Sequence, residues 1–167
     1  ASIASVSKFE LITRRPKDTS GTRIRIDGGV WRDVEQFGAP PGTRVTVNQL
    51  YFNTPVRAKF LKGITTELSH SIDIVQRHAL AREGVGFQFV HNDKMLLDIP
   101  EHATLRERVA LIWGLNFIHE MVEISGEQAG FKLRAIVGLP SLNRSQRSHQ
   151  IFLMNKGAVG ETGDQQD

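Results

Sequence analysis

Gly-Thr-Arg-Val-Thr-Val-Asn-Gln-Leu-Tyr-Phe-Asn-Thr-Pro-Val-Arg-Ala-Lys-Phe-Leu-Lys, residues 42–62, carries the clearest local pattern in this chain. Val45 and Val47 alternate with polar residues, and this period of two predicts a β-strand that buries one face. Pro55 fixes its own φ and disfavours helical geometry at Thr54, so we expect the strand to stop in a loop. The pattern therefore predicts a buried strand followed by a stiff loop.

Positive charges follow this loop. Arg57, Lys59 and Lys62 lie within six residues, Arg77 lies on the next predicted helix, and Lys156 lies near the end of the chain. Cations that contact DNA phosphates release counterions, which makes such binding insensitive to sequence. The chain has no zinc-finger spacing, no helix-turn-helix pattern and no aromatic series for stacking bases. Any DNA contacts of these five residues are therefore expected to be independent of base sequence, with a solvated charged face as the alternative for each residue.

The same stretch resembles the MutL family of DNA mismatch repair ATPases. That family has Gly-Thr-x-Val, then Leu-Phe-x-Asn-Thr-Pro-Ala-Arg, then Lys-Phe-Leu, and this chain matches most of the combined string. It departs from the pattern at Tyr51, Phe52 and Val56. The resemblance extends over about residues 1–155 and is clearest over residues 42–90.

The resemblance implies an α+β fold. Residues 1–100 are expected to form the second half of a GHKL (Bergerat) ATPase α/β sandwich. Residues 101–159 are expected to open a transducer domain of the ribosomal-protein-like kind, and residues 160–167 to form a disordered polar tail. In MutL-like proteins a phosphate-lid motif is followed directly by Ala-Ser-Ile, so the chain is expected to begin just past that motif, as an internal fragment.

The resemblance also implies a nucleotide site at Gly42 and Thr43. In GHKL ATPases this threonine lies beside the adenine; a plain threonine at a strand start is the alternative. The parent protein is expected to bind ATP and Mg²⁺. The family's general base, its Mg²⁺ and adenine motifs and its transducer lysine are not found here. We therefore expect no catalytic residue, no cofactor and no ATP hydrolysis for this fragment alone.

The implied function is that of a mismatch repair matchmaker. Such a protein dimerises under control of ATP, binds DNA non-specifically and couples a MutS-like mismatch-recognition protein to strand nicking. The expected partners are DNA, the MutS-like protein and a MutL-like dimer partner, with no membrane. The alternatives are a nucleotide-independent interaction module and another GHKL ATPase of the topoisomerase or chaperone type. The motif around Asn53 argues against both of those enzymes.

Composition limits the remaining classes. The 167 residues carry a net charge of +3, are 40% hydrophobic and contain no cysteine, which excludes disulfides and thiolate metal sites. No apolar run reaches the ~20 residues of a bilayer span, and no leader is visible. We expect a cytoplasmic protein in a bacterium or a nuclear one in a eukaryote, not a secreted one. None of the six histidines has ligand spacing, so no metal site is predicted.

Periodicity predicts the elements around the central stretch. Strands are expected over residues 8–14, 22–26, 30–34, 85–90, 95–99, 121–125, 131–137 and 150–155. Helices are expected over residues 65–82 and 104–113, each with an apolar stripe and each followed by glycine. Asp27-Gly28-Gly29 and Asn92-Asp93 are typical of tight hairpin turns.

Overall fold

The computed structural model describes residues 2–140, 151, 153, 154, 157 and 158. The chain divides into two compact units, Ala1–Ile64 and Thr65–Asp167. Among the described residues, no helix is both long and apolar enough to cross a bilayer.

The first unit is built on one antiparallel sheet. Its strands lie in the order β3-β2-β1-β4, so the connection from β3 to β4 crosses the sheet from one edge to the other. A 3-10 turn, Ala4–Val6, precedes the sheet and a one-turn helix, α1, follows it. The element bounds are β1 Lys8–Arg14, β2 Gly21–Asp27, β3 Val30–Phe37, β4 Gly42–Asn48 and α1 Pro55–Ala58.

Register divides this sheet into an apolar face and a charged face. Leu11 is paired with Ile24 on one side and Val45 on the other, and all three lie on the apolar face. We predicted that the apolar side of β4 is buried, and this is wrong, because Val45 and Val47 expose 55% and 40% of their surface. β4 is an edge strand, and an edge strand has a neighbour on one side only.

On the charged face, Ile12 is the buried residue of β1. In the alternation of β1, Ile12 falls on the same face as Glu10. Ile12 lines a pocket together with Phe37, Pro40 and Pro41, so the connection that crosses from β3 to β4 lies beside this buried side chain.

The second unit contains the long helix and the later hairpins. Helix α2 begins at the last residue of the first unit, and the strand pairs β5–β6, β7–β8 and β9–β10 are antiparallel. The bounds are α2 Ile64–Ala81, β5 Phe87–His91, β6 Lys94–Ile99, α3 Leu105–Trp113, α4 Leu115–His119, β7 Met121–Gln128, β8 Phe131–Gly138, β9 Leu153–Met154 and β10 Gly157–Ala158.

Most predicted elements of this unit are confirmed. Asn92 and Asp93 both have positive φ, as a tight hairpin turn requires. Thr104 caps α3 in a capping box: the Glu107 N–H donates to the Thr104 hydroxyl over 3.3 Å, and the Thr104 N–H donates to the Glu107 carboxylate over 2.8 Å. This backbone hydrogen bond lowers the pKa of Glu107. Helix α4 is a finding that the sequence pattern did not predict.

Two apolar clusters hold the second unit together. One is made by α2, β6 and the residues after β6, with Ala79, Leu97, Ile99 and Ala103 as its buried members. The other joins α2, α3 and α4 through Leu80, Val109, Phe117 and Ile118. The adjacent residues Ala79 and Leu80 belong to different clusters, so the last turn of α2 joins the two.

Arg108 lies fully buried in this unit, with 0% of its surface exposed. Its guanidinium donates hydrogen bonds to five main-chain carbonyl oxygens over 2.8–3.2 Å. The acceptors are Ala79, Val85, Pro100, Glu101 and Ala103. The carbonyl of Ala79 belongs to the last turn of α2, where the helix macrodipole favours a positive charge.

The predicted domain boundary after residue 100 differs from the division between the two compact units, and it stays a prediction. Within the predicted strand over residues 150–155, the structure describes Ile151, which is not in a strand, and the short strand Leu153–Met154. Lys156 and the predicted tail, residues 160–167, lie outside the described residues.

Candidate functional site

The predicted nucleotide residues lie at the start of β4. Register pairs Thr43 with Thr13 of β1, and the two hydroxyl oxygens are 2.9 Å apart. The Thr13 hydroxyl also lies 3.3 Å from the Gly42 carbonyl oxygen. Both threonines fall on the apolar face, next along the strands to Leu11 and Val45. This corner combines a flat apolar surface with an exposed hydroxyl pair, a combination that suits the face and polar edge of a heterocyclic base.

Gly42 is required here by its backbone conformation. Its φ of +126° lies in the range that side-chain-bearing residues rarely adopt, although a Cβ would meet open space. The Pro40-Pro41 segment leads into this residue, so the chain turns into β4 at Gly42. A pocket of about 310 Å³ adjoins the turn and is lined by Gly42, Thr43, Arg44, Ile12, Phe37 and residues 38–41.

The positive charges after β4 lie on one short segment. Thr54 precedes α1 with φ −137° and ψ 69°, and Pro55 occupies the first turn of the helix, where its missing N–H costs nothing. Arg57 belongs to this helix, Lys59 caps it, and Lys62 follows before α2. We call residues 55–62 the basic turn. Its cationic residues are exposed, and it contains no acidic residue.

Apolar side chains stand exposed between these cations. Phe60 exposes 80% and Val56 68% of their surface. The basic turn is therefore open to a large partner rather than folded against the sheet.

The other two predicted nucleic-acid residues do not belong to the basic turn. Arg77 belongs to the second unit, where it is half-buried on α2. Lys156 lies outside the described residues. Within the first unit the structure therefore groups Arg57, Lys59 and Lys62 on one segment, while the roles of Arg77 and Lys156 stay predictions.

The loop that precedes the basic turn is hydrogen-bonded to Ser5 and Val6, near the start of the described chain. The Asn53 side-chain amide donates to the Ser5 carbonyl over 3.0 Å, and the Tyr51 N–H donates to the Val6 carbonyl over 2.6 Å. We call these two hydrogen bonds the clasp. Asn53 was part of the predicted motif but had no predicted role, because its acceptor lies 48 residues earlier in the chain.

Several charges on the sheet are paired within the sheet. Arg25 Nε donates to Asp33 over 2.9 Å, and this hydrogen bond lowers the pKa of Asp33. Arg23 pairs with Glu35 and stacks 4.6 Å above the ring of Phe37. These pairs neutralise part of the charge on this face of the sheet.

In the part of the chain that the structure describes, no group of three or more His, Cys, Asp or Glu side chains could hold a metal ion.

Sequence and fold comparisons agree with one another. MutL of Syntrophobacter fumaroxidans is 40% identical over 156 residues, which are 93% of this chain and 23% of that protein. MutL of Opitutus terrae is 37% identical over 158 residues, 95% of this chain and 25% of that protein. The ATPase domain of Aquifex aeolicus MutL complexed with ADP matches with a TM-score of 0.81 at 30% identity, over 96% of this chain and 62% of that chain. The chain matches no protein-family model.

These matches confirm the predicted fold class, a mixed α and β fold of the MutL ATPase (GHKL) type. The chain spans about a quarter of the length of the curated relatives it matches.

Proposed function

Because this chain belongs to the MutL family of DNA mismatch repair proteins, we propose that it contributes a nucleotide-facing corner and a DNA-binding turn to such a protein. The observation that carries the proposal is the arrangement of residues 42–62 in the first unit. One end of this stretch presents the hydroxyl pair on an apolar face, and the other end presents the basic turn.

At the nucleotide corner, Thr43 would contact adenine. Leu11 and Val45 offer apolar contact to the flat face of the base, and the Thr43 hydroxyl, held by Thr13, can donate or accept a hydrogen bond at its edge. The residues present therefore fit the base. ATP, when bound, would supply the free energy of hydrolysis to the parent protein, and the Aquifex relative was solved with ADP.

At the basic turn, Arg57, Lys59 and Lys62 would contact DNA phosphates. Each such contact displaces condensed counterions, so affinity falls as salt rises and depends little on base sequence. Exposure of these residues and the absence of acidic neighbours in residues 55–62 support this assignment. Arg77 and Lys156 are proposed to extend the phosphate contacts.

In the whole protein we propose the matchmaker role. ATP binding, with Mg²⁺, would control association with a MutL-like partner. The dimer would hold DNA without regard to sequence and would link a MutS-like mismatch-recognition protein to strand nicking. Relatives that carry the name DNA mismatch repair protein support this role.

The nucleotide assignment is tested in the full-length protein that contains this segment. Thr43→Val should weaken ATP binding about tenfold, since an unmet hydrogen bond at a base costs about 1–2 kcal/mol. Thr46→Val is the matched control, because Thr46 is paired with Glu10 on the charged face of the same strand. We expect the control to bind ATP as the unchanged protein does.

Isothermal titration with ATP measures both variants. Unchanged affinity in Thr43→Val would remove Thr43 from the nucleotide site. No measurable ATP binding by the unchanged full-length protein would favour a nucleotide-independent interaction module instead.

A further inference from the structure

The loop between β4 and the basic turn is held in a costly conformation. Gln49 and Tyr51 adopt φ of +50° and +66°, although neither is glycine. The hydroxyl oxygen of Thr54 is buried and has no hydrogen-bond partner in the described part of the chain. Such local costs persist where the surrounding contacts fix the backbone, and they concentrate at functional segments.

The clasp is the contact that fixes this backbone. The acceptors Ser5 and Val6 belong to a 3-10 turn whose Ala4 and Val6 are buried, so the anchor is rigid. Asn53 also packs tightly against the β2–β3 turn. A Cβ on Gly28, whose φ is +57°, would lie 2.9 Å from the Asn53 amide nitrogen. Asn53 is therefore held on two sides.

Backbone hydrogen bonds join the residue after Asn53 to the basic turn. The Thr54 carbonyl, directly after Asn53, accepts from the N–H groups of Arg57 and Ala58 over 2.9 and 3.2 Å. The Phe60 N–H then donates to the Arg57 carbonyl over 3.1 Å. The first turn of α1 thus starts at the residue that follows the clasp, and no flexible segment separates them.

We propose that Asn53 is a positioning residue, which holds the basic turn so that its cations engage DNA phosphates at the same time. Asn53 itself does not touch DNA. Losing its amide leaves all of the cations in place but lets the turn sample other orientations, so fewer phosphates are contacted in any one complex. This proposal rests on the DNA binding proposed above for Arg57, Lys59 and Lys62.

The test uses the 167-residue chain with Asn53→Ala and Asn53→Leu. Both variants remove the donor without changing charge, and leucine keeps a similar side-chain size. Asn48→Ala is the control, because Asn48 is an exposed asparagine at the end of β4. Affinity for a random-sequence DNA duplex is measured at several salt concentrations, and the thermal unfolding midpoint is measured alongside.

We expect both Asn53 variants to bind DNA roughly threefold to tenfold more weakly at low salt, with a slope of log affinity against log salt smaller by about 1, the value of one phosphate contact. Asn48→Ala should match the unchanged chain in both quantities. A merely destabilised protein would lose apparent affinity through its unfolded fraction but would keep the slope. A slope equal to that of the unchanged chain in both Asn53 variants would therefore overturn the proposal.

A variant that lacks the three cations of the basic turn separates this failure from failure of the proposed function. Replacing Arg57, Lys59 and Lys62 together by alanine should abolish most DNA binding. If that variant binds DNA as well as the unchanged chain, the DNA assignment of the basic turn is wrong. If it loses binding while the Asn53 variants keep both affinity and slope, only the positioning role is wrong.

Discussion

Arg108 of the second unit is used in a different way from the arginines on the sheet of the first unit. On that sheet, arginines form ion pairs with neighbouring carboxylates at the surface; the pairs are Arg23–Glu35, Arg25–Asp33 and Arg32–Asp27. Arg108 has no exposed surface and donates to main-chain carbonyl oxygens, although Arg134 of the same unit forms surface ion pairs. The same side chain is thus a surface charge on the sheet and a buried connector of backbone segments at Arg108.

This difference decides what each arginine contributes to stability. When a surface ion pair forms, both charged groups lose hydration and gain an attraction that solvent and salt screen. Its net contribution to the free energy of unfolding is therefore small. Removing a buried guanidinium leaves its acceptors without donors and without water, which costs far more. Burial and the number of acceptors, rather than the count of ion pairs, therefore identify the arginine on which the fold depends.

The largest expected effect is that of Arg108→Ala. Because five carbonyl oxygens lose their donor, the free energy of unfolding should fall by about 3–5 kcal/mol, a large part of the roughly 5–15 kcal/mol that is typical of a folded domain. Urea denaturation followed by circular dichroism measures this loss.

Arg106→Ala is the matched control for that experiment. Arg106 lies two residues earlier on α3, is exposed, and donates to the carbonyl oxygens of Ile118 and Met121 over 3.2 and 3.3 Å. We expect a loss of about 1 kcal/mol. Equal losses in the two variants would show that burial is not what separates them, and the comparison would fail.

A smaller effect is expected for the surface pair of Arg25 and Asp33. Arg25 lowers the pKa of Asp33 in the folded state, so the pair contributes stability above the unfolded-state pKa of about 3.9. That contribution is lost as the pH falls through the lower, folded-state pKa. Asp33→Asn should therefore be slightly less stable than the unchanged chain at pH 7, and this difference should shrink below about pH 4.

Urea midpoints at pH 7 and pH 3 measure this change. A difference between Asp33→Asn and the unchanged chain that stayed constant between the two pH values would contradict the sign of the shift. A loss as large as that of Arg108→Ala would contradict the contrast between surface and buried arginines.

Local signals in the sequence predicted most of the elements. The alternation of apolar and polar residues predicted β1 with its observed bounds. Two turn signals, the glycines after Asp27 and the Asn92-Asp93 pair, predicted hairpins that the structure contains. Helix α2 differs from its prediction by one residue at each end. Helix α1 was missed, although proline at a first helical position is a known start signal.

Features that depend on distant partners could not be predicted. The Thr43 hydroxyl meets Thr13, which lies 30 residues earlier, and Asn53 meets Ser5, which lies 48 residues earlier. Neither pairing leaves a local pattern. Arg108 did leave one: it follows Leu105 by three residues and precedes Val109 and Ile112, so it lies on the apolar stripe of α3. A charged residue on such a stripe is a signal of a buried, fully paired group.

The most direct test of the proposed DNA-binding turn is the salt dependence of duplex binding by the unchanged 167-residue chain. If the basic turn contributes its full set of phosphate contacts, log affinity should fall linearly with log salt, and duplexes of unrelated sequence should give the same line. The slope should be about −3 from the three cations of the turn, and steeper if Arg77 and Lys156 add contacts. Affinity that stays constant as salt rises, or that changes with base sequence, would contradict the account.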